Sequence, residues 1–592
     1  MGDALAGPPT GAGAAADHNA GKYLMKAESV GVFRQSKVIL FSSMIVLCLL
    51  ALPLIVAFST IGWRFLFNLL AADSMYYMGI ANNWVKFGFP TFDGEQITNG
   101  FHPLWELLLA GIFGISGVPN HYQLYIAVAL SFVFVFVSLT LLGSLAIRHL
   151  GVIRGTTGIL FMFPGAYTLL CNPESRDPPA DPGVLYRLEP WSAINGMEST
   201  LSLASWSLAL YLLVRRLDIC NRIGVAVGKP GEWTCVFNFP VRVLLVAIVL
   251  ARLDDAIVLV PIGMIVWIFN SGTARQRIHQ ISRILVLPVI SLVVYMLVSV
   301  AATGSFLPTS GTQKVGLLFA GNVSIMANAV FGFEPALDWV PVATRTYPLI
   351  FCVILSGISL IMLNTTLKEN RDTSRLYQLA LIFFAYVLCK SLFLISFVNL
   401  EGQGYWYNFV IVLMLNFVIA IILVRIIPTQ GLYKYAALVG AAMVTTLALG
   451  TEGHLLSSTE QTLGDNESYN YAEVSFTLWT HEQEIREAFS RQAASAKLID
   501  NLDGEYGFLL DLPAVSVTGL PSGRKDLDDR QRVGFWNSVL PRGYSIIGSV
   551  GYLQASGENG IKAQEFYRSP DGKVTFFQVI SADSVGAVVG RK

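Results

Sequence analysis

Between residues 38 and 450 this chain repeatedly presents stretches of about 20 predominantly apolar residues, each followed by a short polar segment. A run of that length is what one helix needs to cross the hydrocarbon of a bilayer. Lipid offers no partner to a bare N–H or C=O group, so such runs can be satisfied only as helices. Only 14% of the residues are charged, against about 25% in an average soluble domain. The 40 basic and 40 acidic side chains cancel, which argues against the basic footprint of a nucleic-acid-binding protein.

Basic residues between spans mark the cytoplasmic side. Lys22, Lys26, Arg34 and Lys37 place the N-terminus there, with residues 1–36 as a disordered tail and 38–58 as a retained first span. Residues 59–120 read as one external loop, in which 104–117 is too short to cross and lies at the interface. Residues 121–147 lead inward to Arg148 and Arg154, 155–171 lead out to the Pro-rich loop 172–198, and 200–214 return to Arg215 and Arg216. The stretch 241–270 has basic residues near both ends and is interrupted by Arg252, Leu253, Asp254 and Asp255, so it should be two short helices turning on the external side. Spans at 284–302, 346–363, 377–398, 407–424 and 435–450 complete the path.

The expected fold is therefore a polytopic α-helical membrane protein of about 10–11 membrane helices over residues 37–450. An external α/β domain is expected over 451–592, with a helix from Glu482 to Leu498 and strands at Phe508–Leu512 and Val515–Val517. Every basic cluster falls inside, so loops 59–120, 172–198, 303–345 and 399–406, the Arg252 turn and the C-terminal domain share one side. The six cysteines form no close CxxC pair, so neither a disulfide framework nor a zinc site is expected.

The residues that could carry chemistry lie on that external side. Asp73 opens an amphipathic segment and can act as a general base or simply cap its helix. His102, in a Gly-Pro turn, can contact a phosphate or an acceptor, or be only a turn residue. Arg252 interrupts an apolar stretch, a costly position for a charge; it can hold an anion or pair with Asp254 or Asp255. Glu198 can bind a sugar hydroxyl or favour a helix N-terminus. Tyr405 and Trp406, near Glu401, can stack on a sugar or anchor the interface. Lys390, inside a span, is expected to snorkel or pair within the bundle.

The order of these motifs resembles the GT-C superfamily of multi-spanning glycosyltransferases, in a bacterial form. The resemblance rests on the Asp73-Ser74-Met75-Tyr76-Tyr77 helix start, on Thr91-Phe92-Asp93-Gly94, and on Thr98-Asn99-Gly100-Phe101-His102-Pro103-Leu104-Trp105. It continues through Asn195-Gly196-Met197-Glu198-Ser199, Ala251-Arg252-Leu253-Asp254 and Leu307-Pro308-Thr309-Ser310-Gly311, and covers nearly the whole chain from residue 38. It implies inverting transfer of a sugar from a polyprenyl-phosphate donor to a glycan, lipid or protein acceptor outside the cytoplasm, at a bacterial inner membrane with a periplasmic C-terminal domain.

On that resemblance Asp73 is the base. Arg252, His102 and Lys314 are assigned to the donor phosphate, and Glu198, Asp254, Asn99, Glu401, Tyr405 and Trp406 to the sugar or acceptor. Where relatives often carry a second Asp stands Ala72, which argues against a paired-carboxylate metal site; a divalent cation is the one cofactor left open. Two alternatives stand beside this reading: a transporter or flippase for a polyprenyl-linked lipid, and an inactive membrane scaffold.

Overall fold

The computed structural model describes residues 58–70, 72–162, 196–222, 232–270, 272–314 and most of 382–397. In the C-terminal region it describes 462–463, 469–492, 497–500, 504–516, 522, 524–548 and 561–582, with isolated helical positions at 44, 48, 51, 55, 410, 438 and 439. The spans expected at 346–363, 407–424 and 435–450, and Glu401, Tyr405 and Trp406, lie outside or almost wholly outside these residues.

The longer helices among the described residues of the N-terminal part are α1 (Ala72–Phe87), α2 (Pro103–Ser116), α3 (Asn120–Leu150), α4 (Val152–Met162), α5 (Ser199–Arg222), α6 (Phe239–Ala251), α7 (Leu259–Phe269) and α8 (Ala274–Thr303). Local chemistry sets several of their ends. Helix α2 starts with Pro103 after an extended His102 and stops at Gly117, whose φ of 60° is easy for glycine. A capping box between Thr273 and Gln276 opens α8, and Gly304 at φ 76° closes it.

The stretch 241–270 is indeed broken at Arg252. Its extended backbone (φ −144°, ψ 114°) ends α6, and a 3-10 turn over Leu253–Val258 leads into α7.

Two helices among the described residues are long and apolar enough to cross a bilayer, Tyr122–Arg148 within α3 and the whole of α8. Protein covers only 17% of the apolar window of α8. Val289, Ile290, Val293, Val294, Leu297 and Val298 stand on its exposed surface, the pattern of a helix facing lipid.

The C-terminal region is α/β. It comprises α9 (Tyr471–Thr480), α10 (Glu482–Gln492), β1 (Lys497–Asp500), α11 (Glu505–Leu509), β2 (Ala514–Ser516), α12 (Arg524–Val533), α13 (Phe535–Val539), β3 (Tyr544–Gly548), β4 (Ile561–Arg568) and β5 (Thr575–Ala582). The sheet order is β2-β1-β3-β5-β4; β1 runs parallel to β2 and β3, and the β3/β5 and β5/β4 pairs are antiparallel.

Alternation along the strands sends side chains to two cores. Leu498, Ala514, Ile546 and Phe576 join the hydrophobic cluster that runs on into the N-terminal helices, while Ile499, Val515 and Ile547 pack with Val539 of α13 on the other face.

Three expectations are corrected. Residues 505–509 are helical, so Phe508–Leu512 is not a strand: Phe508, Leu509 and Leu510 are all buried, and three apolar residues in a row cannot tell a strand from a short helix. Leu498 belongs to β1 rather than to the preceding helix, because hydrogen bonding to β2 on one side and β3 on the other outweighs local helical preference. Cys220 and Cys235 are joined by a disulfide, with Cα atoms 6.8 Å apart. They meet because a short helix, Glu232–Val236, packs back on α5, a closeness that a separation of 15 residues does not reveal.

Candidate functional site

The segment before α5 folds back on the bundle through glycine. Gly196, at φ +80°, lies so close to α1 that a Cβ there would sit 2.8 Å from Leu70 Cδ2 and 3.0 Å from Ser74 Cβ. This close approach lays the segment leading to Glu198 against the first turn of α1, where Asp73 is half-buried. Tyr76 and Tyr77 stack at 4.7 Å, and the Tyr77 ring lies nearly parallel to His102 with centroids 6.5 Å apart.

Beneath this layer sits a chain of charged groups. His102 Nε2 is 3.5 Å from Glu198 Oε1, and Arg252 Nη1 reaches the same oxygen at 3.1 Å. Arg252 also holds Asp254 with two nitrogens, Nε to Oδ1 at 3.2 Å and Nη2 to Oδ2 at 3.3 Å. Lys390 lies 3.2 Å from Asp254 Oδ2 and pairs with Asp255. Asp255 in turn accepts from the Tyr386 hydroxyl at 2.6 Å and from the Ser202 hydroxyl at 2.7 Å. Four elements distant in sequence thus meet: the start of α2, the start of α5, the Arg252 turn and the helix that carries Tyr386 and Lys390.

Burial gives this arrangement its weight. Glu198 and Arg252 are each 1% exposed and Lys390 and Asp255 are fully buried, so neither cation would be tolerated without its carboxylates. Three carboxylates face one guanidinium and one amine, so acidic groups outnumber their basic partners.

His102 is held neutral by geometry. Its Nδ1 accepts from the Leu253 N–H at 3.3 Å, which leaves the proton on Nε2, facing Glu198. Burial lowers its pKa below the ordinary histidine value, against the opposing pull of Glu198.

Arg252, expected to face a phosphate, is turned to Glu198, Asp254 and, at 3.5 Å, the Ser199 hydroxyl. Glu198 presents one oxygen to Arg252 and His102, and its second oxygen is buried with no hydrogen-bond partner among the described residues.

Asn99 is committed elsewhere. Its amide donates to Ser299 Oγ (2.5 Å) and to the Leu307 carbonyl (3.0 Å), and its oxygen accepts from the Thr309 N–H (3.1 Å). It staples the loop to the segment after α8. Asn99→Ala is expected to destabilise the protein by ~1–3 kcal/mol, because it strands buried polar groups, read as a lowered thermal midpoint of the purified protein. Lys314 ends the short helix Thr309–Lys314 that this staple anchors; its side chain lies outside the described residues, as do those of Glu401, Tyr405 and Trp406.

The sequence points to neither Tyr386 nor Ser202, gives Asp255 only as a partner for Arg252, and gives Lys390 no functional role. The available signal was two charged breaks of opposite sign in separate apolar runs, Asp254-Asp255 and Lys390. Opposite charges that must both be buried in a bundle pair with each other.

No protein-family model matches the chain, and no curated protein sequence does. Among solved structures, the chain is similar to the crystal structure of ArnT from Cupriavidus metallidurans bound to undecaprenyl phosphate. The two share 13% identity over 92% of this chain and 99% of that one, with a TM-score of 0.42. A likeness at that level identifies neither an activity nor a substrate.

Proposed function

We propose that this chain is an integral membrane glycosyltransferase that moves a sugar from a polyprenyl-phosphate donor to an acceptor on the external side of the membrane. The observation that carries this reading is convergence. His102, Glu198, Arg252 and Asp254, from three motifs of the GT-C resemblance, meet in one buried polar cluster. Structural packing alone would not require it.

The chemistry suits displacement at an anomeric carbon. A lipid phosphate is already a good leaving group, so the reaction needs one base for the acceptor proton, which is Asp73, and groups that hold hydroxyls in line. Glu198 and Asp254, fixed by Arg252, are those groups: both are carboxylates that accept from sugar hydroxyls, and the free oxygen of Glu198 is buried with an unmet capacity to accept. Arg252 already holds the carboxylates of Glu198 and Asp254, which leaves it little to offer a phosphate. The phosphate is therefore assigned to Lys314, on the segment that Asn99 ties to the loop.

The test is transfer from a panel of radiolabelled polyprenyl-phosphate sugars by the purified full chain in lipid nanodiscs. Turnover with any member names the donor. Donor binding without turnover, together with movement of the donor between leaflets, would replace this reading with a transporter.

A further inference from the structure

The C-terminal domain meets α1 along most of its length, and it does so at backbone level. Gly504 has φ +112°, and a Cβ there would lie 2.7 Å from both the N and the Cα of Tyr76. One turn further along α1, Gly79 faces Phe508 with 3.8 Å between the Cβ positions. Asp511, held at φ 53°, then accepts from Asn82 at 3.1 Å and Asn120 at 2.9 Å, and pairs with Lys86.

A second seam reinforces the first. Arg542 reaches Asp93 at 2.7 Å and Glu95 at 3.1 Å, Lys497 pairs with Glu95, and the Thr98 hydroxyl donates to the Ser522 carbonyl at 3.2 Å.

We propose that the Gly504–Asp511 segment is a positioning element that sets where α1 places the Asp73 carboxylate. The inference rests on the assignment of Asp73 as base. Tyr76 is one helical turn from Asp73, and a helix moves as a rigid body over that distance. Its ring also stacks on Tyr77, which lies over His102, so a push at Tyr76 moves the base and the histidine together. A misplacement of about 1 Å in a reacting group can cost on the order of 10²-fold in rate.

The experiment compares four variants of the full chain in nanodiscs. Gly504→Ala is expected to lower kcat by roughly 10- to 100-fold, with the donor KM within about twofold of wild type. Asp511→Ala lowers kcat as well. Asp511→Asn restores most of it, since asparagine tolerates the left-handed backbone and keeps an acceptor oxygen. Val515→Ala, in the core on the far face of the sheet, lowers the melting temperature and leaves kcat unchanged.

Hydrogen exchange of amides 72–87 rises in Gly504→Ala and Asp511→Ala, and stays at wild-type level in the other two. Should Gly504→Ala fail to fold, the Asp511 pair decides. Wild-type kcat in Asp511→Ala, an equal loss in Val515→Ala, or a loss confined to KM overturns the proposal. If wild type transfers no sugar, the base assignment falls, and exchange over 72–87 still decides whether this segment holds α1: unchanged exchange refutes it.

Discussion

Asp73→Asn is expected to lower sugar transfer by roughly 10²- to 10⁴-fold, the span typical for removing a positioned general base, while donor binding stays near wild type. Asparagine keeps the shape of the side chain and an oxygen at the helix start, so α1 still caps and packs, but the amide cannot take a proton. The measurement is single-turnover transfer alongside equilibrium binding of the same donor. If the variant transfers as fast as wild type, Asp73 is only a helix-start residue and the base must be sought elsewhere in the cluster. Ala72 bears on this, since with one carboxylate at the start of α1 no neighbour can substitute for it.

Lys390→Met is expected to cost ~3–5 kcal/mol of stability, the usual penalty for stripping one partner from a buried ion pair. Asp255 would keep its hydrogen bonds from Tyr386 and Ser202 but lose its cation in a fully buried site. The informative comparison is the double variant Lys390→Met with Asp255→Asn, which removes both charges and should recover most of the loss. The readout is the fraction of protein that remains monodisperse after a heat challenge. Equal survival of Lys390→Met and wild type would show that the pair holds nothing together. Arg252 answers to the same logic, with two carboxylates depending on it.

Much of the helical part was legible because its signals are local. Three charges within four residues in the middle of an apolar stretch had to be a turn, and Arg252–Asp255 is one. Pro103 and Gly117 bracket α2. What stayed hidden is long-range. Nothing near Lys390 says that its partners lie 135 residues earlier, and Asp511 looks like an ordinary surface acid although it accepts from Asn82, 429 positions away.

The misreading at Phe508–Leu512 has another cause: the three apolar residues before Asp511 carry no period, and only their neighbours decide their state. Asn99, expected to meet sugar, proves to be a staple, because a buried amide with four described partners has little left to offer a ligand.

The seam between α1 and residues 504–511 also orders events in the life of the molecule. Synthesis runs from the N-terminus, so the helix bearing Asp73 emerges more than 400 residues before the segment that seats it. At about 5–20 residues per second, that interval lasts tens of seconds, during which the bundle assembles around an unseated loop. Seating of α1 thus arrives last, when the sheet has folded and docked on the helices. A chain stalled or clipped before residue 504 would carry α1 without the contacts that Tyr76, Gly79, Asn82 and Lys86 make to that segment, so on the proposed reading the docking step doubles as a checkpoint on complete synthesis.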